Sequence, residues 1–153
     1  MSKLRLVPMK QETFPVFSEA LSVDYAKDKV QAGIWDKEDA LDQARFEMVH
    51  LLSNGVMTKD HFLWDILDRK DEKIGTLWVF EEKNTYFIYD IMIFEAFQNQ
   101  GYGSELLRVL EEKARQAGIS EIGLHVFGHN KRAFHVYEKM GFETVDINMR
   151  KVL

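Results

Sequence analysis

Gln98-Asn99-Gln100-Gly101-Tyr102-Gly103-Ser104 joins a strand-like segment to a strongly helical one through a loop that carries two glycines. Before it lies Tyr86-Phe87-Ile88-Tyr89-Asp90-Ile91-Met92-Ile93, rich in β-branched and aromatic residues. After it Leu106, Leu107, Leu110, Ala114 and Ala117 recur at helical spacing. The first-turn N–H groups of such a helix have no partner within it, and the helix dipole adds roughly half a positive charge at that end. A strand, a glycine loop and a helix start together make a cradle for an anion, phosphate above all.

The loop excludes two common phosphate binders. A P-loop needs Gly-Lys-Ser/Thr at its end, and the dinucleotide fingerprint needs a third small residue where this chain has Leu106. A second stretch, Leu124-His125-Val126-Phe127-Gly128-His129-Asn130, reads as a strand leaving a loop, and Ala133, Val136, Tyr137 and Met140 follow at helical spacing. Gly141-Phe142 then ends that helix as a glycine cap with its apolar contact.

The two stretches together resemble the GNAT superfamily of N-acetyltransferases. Gln98, Gly101 and Gly103 match its Gln/Arg-x-x-Gly-x-Gly/Ala loop. Asn130, Ala133, Tyr137, Gly141 and Phe142 match the later Asn-x-x-Ala-x-x-x-Tyr-x-x-x-Gly-Phe pattern with every spacing kept. The resemblance covers essentially the whole chain and implies acetyl-CoA as co-substrate. Its pyrophosphate would lie in the cradle of Gln98, Asn99, Gln100, Gly101, Tyr102, Gly103 and Ser104, and its pantetheine arm along the backbone of Ile91, Met92 and Ile93. Two departures weaken the positive field at the cradle: Gln100 stands where most such loops carry Arg, and Glu95-Ala96 where a Pro is usual.

Walking the chain gives a mixed α/β order. A short strand spans 4–7, and a helix is marked by Phe14, Phe17, Leu21 and Tyr25. A second helix runs from Asp36 as N-cap to Asn54-Gly55 as C-cap. Strands over 62–67, 74–80 and 86–93 are consecutive and antiparallel. Then come the Gly101 helix, a strand over 122–126, the Asn130 helix and a last strand within 142–152, bent or tightly turned near Asp146. The order βααβββαβαβ is that of the GNAT fold, a mixed, mostly antiparallel central sheet in which the strands before Gly101 and before Asn130 run parallel and splay around the cofactor.

Composition agrees with one domain over 1–153. At 46% hydrophobic with only two prolines, the chain can bury a sizeable core, and neither linker nor repeat is visible. No apolar run approaches the ~20 residues that cross a membrane, and residues 1–10 lack signal-peptide organisation, so a cytoplasmic protein is expected. Without cysteine there is neither a thiolate metal site nor an acyl-cysteine intermediate, so the acyl group must move directly. A net charge of -5 speaks against general nucleic-acid binding and mildly favours cationic acceptors. Expected partners are acetyl-CoA and an amine acceptor, with neither nucleic acid nor membrane; a homodimer is left open.

The resemblance assigns Tyr137 to the thioester sulfur, as donor to departing CoA, and Asn130 to the cofactor beyond its default as a helix cap. A phenol near pKa 10 is a weaker acid than a thiol near 8.5. Full transfer is therefore uphill by about 2 kcal/mol, and a hydrogen bond to the developing thiolate suffices. An alkylamine near pKa 10.4 is only about one part in a few thousand neutral at pH 7, so a base is needed. Asp90, opposite in parity to Ile91 and Ile93, is the first candidate for base or amine anchor; Glu95, Glu81 and His125 follow. The resemblance also implies an irregular strand there, whose backbone N–H near Met92 would polarise the acetyl carbonyl. His125 and His129 do not converge as metal ligands, so metal is not expected. Tyr25 and Trp35 bracket the connection between the first helices, which the resemblance implies forms one wall of the acceptor site, so they are the leading acceptor-pocket residues. Trp64, Trp78 and Tyr86 are more simply core. A non-catalytic acyl-CoA sensor and a peptide-binding domain are the competing readings.

Overall fold

Alternation of apolar and polar residues builds a five-stranded sheet, and the computed structural model describes it within residues 4–153. Strand β1 (Arg5–Pro8) is followed by α1 (Phe14–Gln31) and α2 (Ala40–Leu51). Strands β2 (His61–Leu67), β3 (Lys73–Glu82) and β4 (Thr85–Ile93) come next, then α3 (Tyr102–Gln116), β5 (Glu121–Leu124) and α4 (Lys131–Lys139). The strands lie in sequence order, with three antiparallel pairings and one parallel pairing, β4 with β5. Among the described residues no helix is long and apolar enough to cross a membrane.

Each face of the sheet has its own core. Leu106, Leu107, Leu110 and Ala114 of α3 pack on Ile66, Ile74, Leu77, Val79, Tyr86 and Ile88. On the other face Phe17 and Leu21 of α1 and Met48 of α2 enclose Leu63 and Trp78. Burying a large apolar side chain contributes roughly 1.5–3 kcal/mol, so the leucine stripe of α3 is what clamps the glycine loop to the sheet. At Gly75 the strands approach so closely that a Cβ would collide with the Met92 carbonyl oxygen, which only glycine avoids.

Three expectations need correction. The second helix begins at Ala40 with Asp39 as its N-cap, and Asp36 starts the turn before it, its carbonyl accepting from Asp39 N–H at 3.3 Å. That helix ends at Leu51, and Gly55 opens a separate 3-10 turn, Gly55–Met57. The strand within 142–152 does not form, nor a hairpin at Asp146: residues 143–153 are exposed and outside the sheet. The Arg150 guanidinium donates to the carbonyls of Ala32 (3.0 Å) and Gly33 (2.7 Å) and draws this segment to the end of α1. It therefore never lies along β5.

Candidate active site

Two irregularities in neighbouring elements open a gap in the sheet. In the β3–β4 ladder Trp78 pairs with Asp90 but Val79 pairs with Ile88, so Tyr89 is an extra residue in β4, a β-bulge. The bulge reverses the pleat: Tyr86 and Ile88 before it and Ile91 and Ile93 after it all pack on the α3 face. Plain alternation would have put Asp90 there instead. The irregularity falls at Tyr89, three residues before the Met92 expected from sequence. Pairing of β4 with β5 ends just there, at Ile88 with Leu124, and the two strands part beyond it.

Asp90 lies in this gap. Its Oδ2 is buried without a hydrogen-bond partner. Burial, and then the charges of Asp24 and Asp28 on α1, push its carboxyl up to about 7. Tyr137 of α4 reaches the same gap; burial raises its phenol above the ordinary value and the charge of Asp90 raises it further. Tyr137 is held by its helix end. Gly141 (φ 96°) reverses the backbone, Phe142 N–H donates to Tyr137 O at 2.9 Å, and the two rings meet at 5.8 Å. At the other end of α4, Asn130 Oδ1 accepts from Ala133 N–H at 3.4 Å, a capping bond.

The glycine loop borders the same opening. Gly101 takes φ 81°, open to glycine without strain, and forms the N-terminal boundary of α3, where the N-cap residue has no side chain to cap the first-turn N–H groups. Added Cβ atoms at Gly101 and Gly103 would meet nothing within 4 Å, so the backbone faces open space. Gly103 has ordinary helical dihedrals; the second left-handed residue of the loop is Asn99, at φ 65°. The Gln98 amide turns back and donates to Ile93 O at 2.9 Å, bracing the loop on β4, and Gln100 donates to Ala96 O at 3.4 Å.

The opposite wall comes from α1. Gly33 (φ 73°) ends that helix, Ile34 N–H donates to Lys29 O at 2.9 Å, and the reversal brings Trp35 edge-on to Tyr25 at 5.5 Å. Burial, with the charge and hydrogen bond of Glu47, pushes the Tyr25 phenol up to about 12. Phe127 lies 6.3 Å from Tyr25, and Tyr89 stacks on Trp78 at 4.5 Å. His129 joins the wall through Asp28, Nε2 to Oδ1 at 2.9 Å. Trp64, Trp78 and Tyr86 are buried in the cores.

Of the alternative bases, Glu81 pairs with Tyr86 towards the start of β4, away from the gap, and Glu95 and His125 are exposed. Asp24, Asp28, Glu47 and Tyr89 were not singled out from sequence. Asp24 and Asp28 carried a signal nonetheless, since like charges four apart on one helix destabilise it unless something else uses them.

A bulged strand, a parted parallel pair and an uncapped glycine-led helix are what one family of enzymes shares. The chain belongs to the acetyltransferase (GNAT) family, whose model matches residues 20–142, and so stands among the acetyl-CoA-dependent N-acetyltransferases. It is 35% identical to the N-acetyltransferase YycN of Bacillus subtilis, over 98% of this chain and 99% of that one. It is 32% identical to YdgE of the same organism, over 97% of each. The crystal structure of YycN superposes with a TM-score of 0.94 over 98% of both chains. The PaiA N-acetyltransferase of Thermoplasma acidophilum, solved in complex with coenzyme A, shares the fold at 21% identity and a TM-score of 0.66, over 97% of this chain and 94% of that one.

Proposed function

We propose that this protein moves an acetyl group from acetyl-CoA directly to a primary amine, with both substrates bound at once and Asp90 and Tyr137 serving the transfer. Acetyl-CoA supplies the activated acyl thioester. The open backbone at Gly101 and Gly103 and the free N–H groups of Tyr102, Gly103 and Ser104 fit its phosphates, with Gln98, Asn99 and Gln100 shaping the loop. The backbone of Ile91, Met92 and Ile93 lies beyond the point where β4 leaves β5, so a strand-like arm would run along it, with Ile93 O already accepting from Gln98, and Asn130 caps the helix that follows β5.

The observation that carries this reading is Asp90: a carboxyl with a buried, unpartnered oxygen, held at about 7, whose charge acts on the half-buried hydroxyl of Tyr137. A base poised near the working pH is suited to taking a proton from an ammonium. Its proton would come from the acceptor nitrogen, which then attacks the acyl carbon while the C–S bond breaks. The leaving sulfur would meet the Tyr137 hydroxyl, and the second proton that the nitrogen sheds as the amide forms would end on that sulfur as the free thiol. That phenol stays protonated, so it acts first as a hydrogen-bond donor to the thiolate. Once Asp90 is protonated, its charge no longer opposes ionisation of Tyr137, and the phenol becomes a better donor at the step that needs one.

The acceptor is a cation. The charges of Asp24 and Asp28 act on Asp90 and that of Glu47 on Tyr25, so negative charge gathers on this side of the gap, while the faces of Tyr25 and Trp35 are taken by the chain's own Lys29, its Nζ 5.3 and 5.1 Å from their centroids. Incubating the protein with acetyl-CoA and a panel of mono-, di- and polyamines tests the proposal. Free thiol should appear with amines and not with alcohols of the same size. Saturable CoA binding with no thiol release from any amine would instead leave a sensor.

A further inference from the structure

Lys29 stands near the end of α1 and engages the turn that follows with both its backbone and its side chain. Its carbonyl accepts from Ile34 N–H at 2.9 Å and from Trp35 N–H at 3.3 Å, the bonds that swing Trp35 back towards the helix. Its ammonium lies over the two rings this turn brings together. Nζ is 5.3 Å from the Tyr25 centroid and 5.1 Å from that of Trp35, and the rings meet at 88°. A cation within about 6 Å of a ring centroid is attracted by the negative face of the ring. Two rings therefore hold one ammonium, and among the described residues Lys29 enters no ion pair.

The surroundings of this corner favour positive charge whatever its source. Glu47 acts on the Tyr25 phenol by charge and hydrogen bond. Trp35 and Glu47 also wall an open cavity of about 590 Å³, together with Asp39, Asp42 and Phe46. On α1 the corner is preceded by Asp24 and Asp28, whose charges reach Asp90. The Tyr25 phenol also feels Tyr89, the neighbour of Asp90 in β4, so the corner adjoins the reacting end of the gap. A place suited to a cation thus lies beside the carboxyl that would take the acceptor's proton, and the chain fills it with an amine of its own.

We propose that the Tyr25–Trp35 corner is a second cation subsite of the acceptor pocket, and that Lys29, by occupying it, selects acceptors with a single positive charge. This rests on the transfer reading above, in which the reacting nitrogen goes to Asp90. A diamine that gives one nitrogen to Asp90 brings its other ammonium to the corner, where Lys29 already sits. A tethered group competes at an effective concentration on the order of mM. The second ammonium gains no new contact by displacing Lys29 and is repelled by it otherwise. A monoamine makes no demand on the corner and meets Lys29 as part of the wall.

Lys29→Ala clears the corner, Lys29→Gln keeps the stem without the charge, and Lys29→Arg refills the corner with another cation. Lys27→Ala removes the same charge from an exposed place on the same helix. Thiol release, and calorimetry on the CoA-loaded protein, are measured with straight-chain α,ω-diamines and with monoamines of equal length. Wild type should favour the monoamine. In Lys29→Ala and Lys29→Gln the ratio of kcat/KM for diamine over monoamine should rise about tenfold, the size of a cation–π contact, and diamines should bind tighter by the same factor. Lys29→Arg and Lys27→Ala should keep the wild-type ratio. A wild type that prefers diamines overturns the proposal, as does an unmoved ratio in both neutral variants, or an equal rise in Lys29→Arg or Lys27→Ala. Binding that shifts as stated without thiol from any amine would sink the transfer reading and leave the corner standing; neither thiol nor amine binding in any variant would overturn both.

Discussion

His129 Nε2 lies 2.9 Å from Asp28 Oδ1, tying the loop after β5 to α1 across 101 positions of sequence. The same Asp28 carboxylate, with Asp24, contributes to holding Asp90 at about 7. The contact thus positions one wall of the gap and a charge that tunes its base. Asp28→Asn keeps an acceptor oxygen for His129 and removes the charge, so Asp90 should ionise at lower pH. The acidic limb of kcat/KM should move to lower pH in that variant and, without loss of the His129 contact, in Asp24→Asn. Limbs that coincide with wild type would disconnect these carboxylates from the base.

A raised carboxyl also leaves its mark on stability. Asp90 has a folded value of about 7 against an ordinary value of 3.8, so between these the folded state binds more protons than the unfolded one. Stability contributed by the protonated carboxyl is therefore present at low pH and lost as pH climbs from about 4 through about 7. Asp90→Asn should be more stable than wild type at pH 8, by at most ~4 kcal/mol, and nearly equal to it at pH 4. Urea unfolding at the two pH values measures the difference; a variant less stable at pH 8 would show that the buried carboxylate has a partner.

Tyr137→Phe removes one hydroxyl and keeps the ring that packs on Phe142. Turnover should fall roughly 10²-fold while acetyl-CoA affinity and melting temperature stay close to wild type. An undiminished kcat reduces Tyr137 to packing.

At the glycine loop, Gly103→Val introduces a branched side chain where a Cβ meets nothing within 4 Å and the backbone is already helical. Folding should survive. Acetyl-CoA binding should weaken by about 1–3 kcal/mol, because the branch occupies the space through which a ligand approaches the N–H groups. Calorimetry on the folded variant decides, and an unchanged affinity excludes this loop as the phosphate site.

The elements of this fold were legible where one periodicity dominates. The leucines of α3 and the Gly141-Phe142 ending of α4 are local patterns, and both stand where sequence puts them. Asp90 was legible as a candidate, but its surroundings were not, because the charges of Asp24 and Asp28 reach it only once α1 packs on the sheet. The bulge at Tyr89 left no local mark, since strand alternation in sequence does not say where an extra residue is inserted. The C-terminal segment was misread for the opposite reason: its alternation is a genuine strand pattern, but Arg150 ties it to the end of α1 and it does not reach the free edge of β5. Asn130 caps α4, as any Asn at a helix start does, and its place at the cofactor is a reading that comes from the resemblance alone.

The central claim is that Asp90 takes the proton of the acceptor amine in the gap beside Tyr137. The pH dependence of kcat/KM for wild type and Asp90→Asn, at saturating acetyl-CoA and with an amine of pKa near 10, tests it most directly. With Asp90 as base, wild type should rise with pH and level off above about 7, where the carboxylate meets a still-protonated amine. The variant must wait for free amine from solution, so it should keep rising, and its deficit should be largest at and below pH 7 and shrink about tenfold per pH unit towards 10. Two profiles of the same shape, differing by a constant factor or not at all from pH 6 to 10, would contradict the assignment.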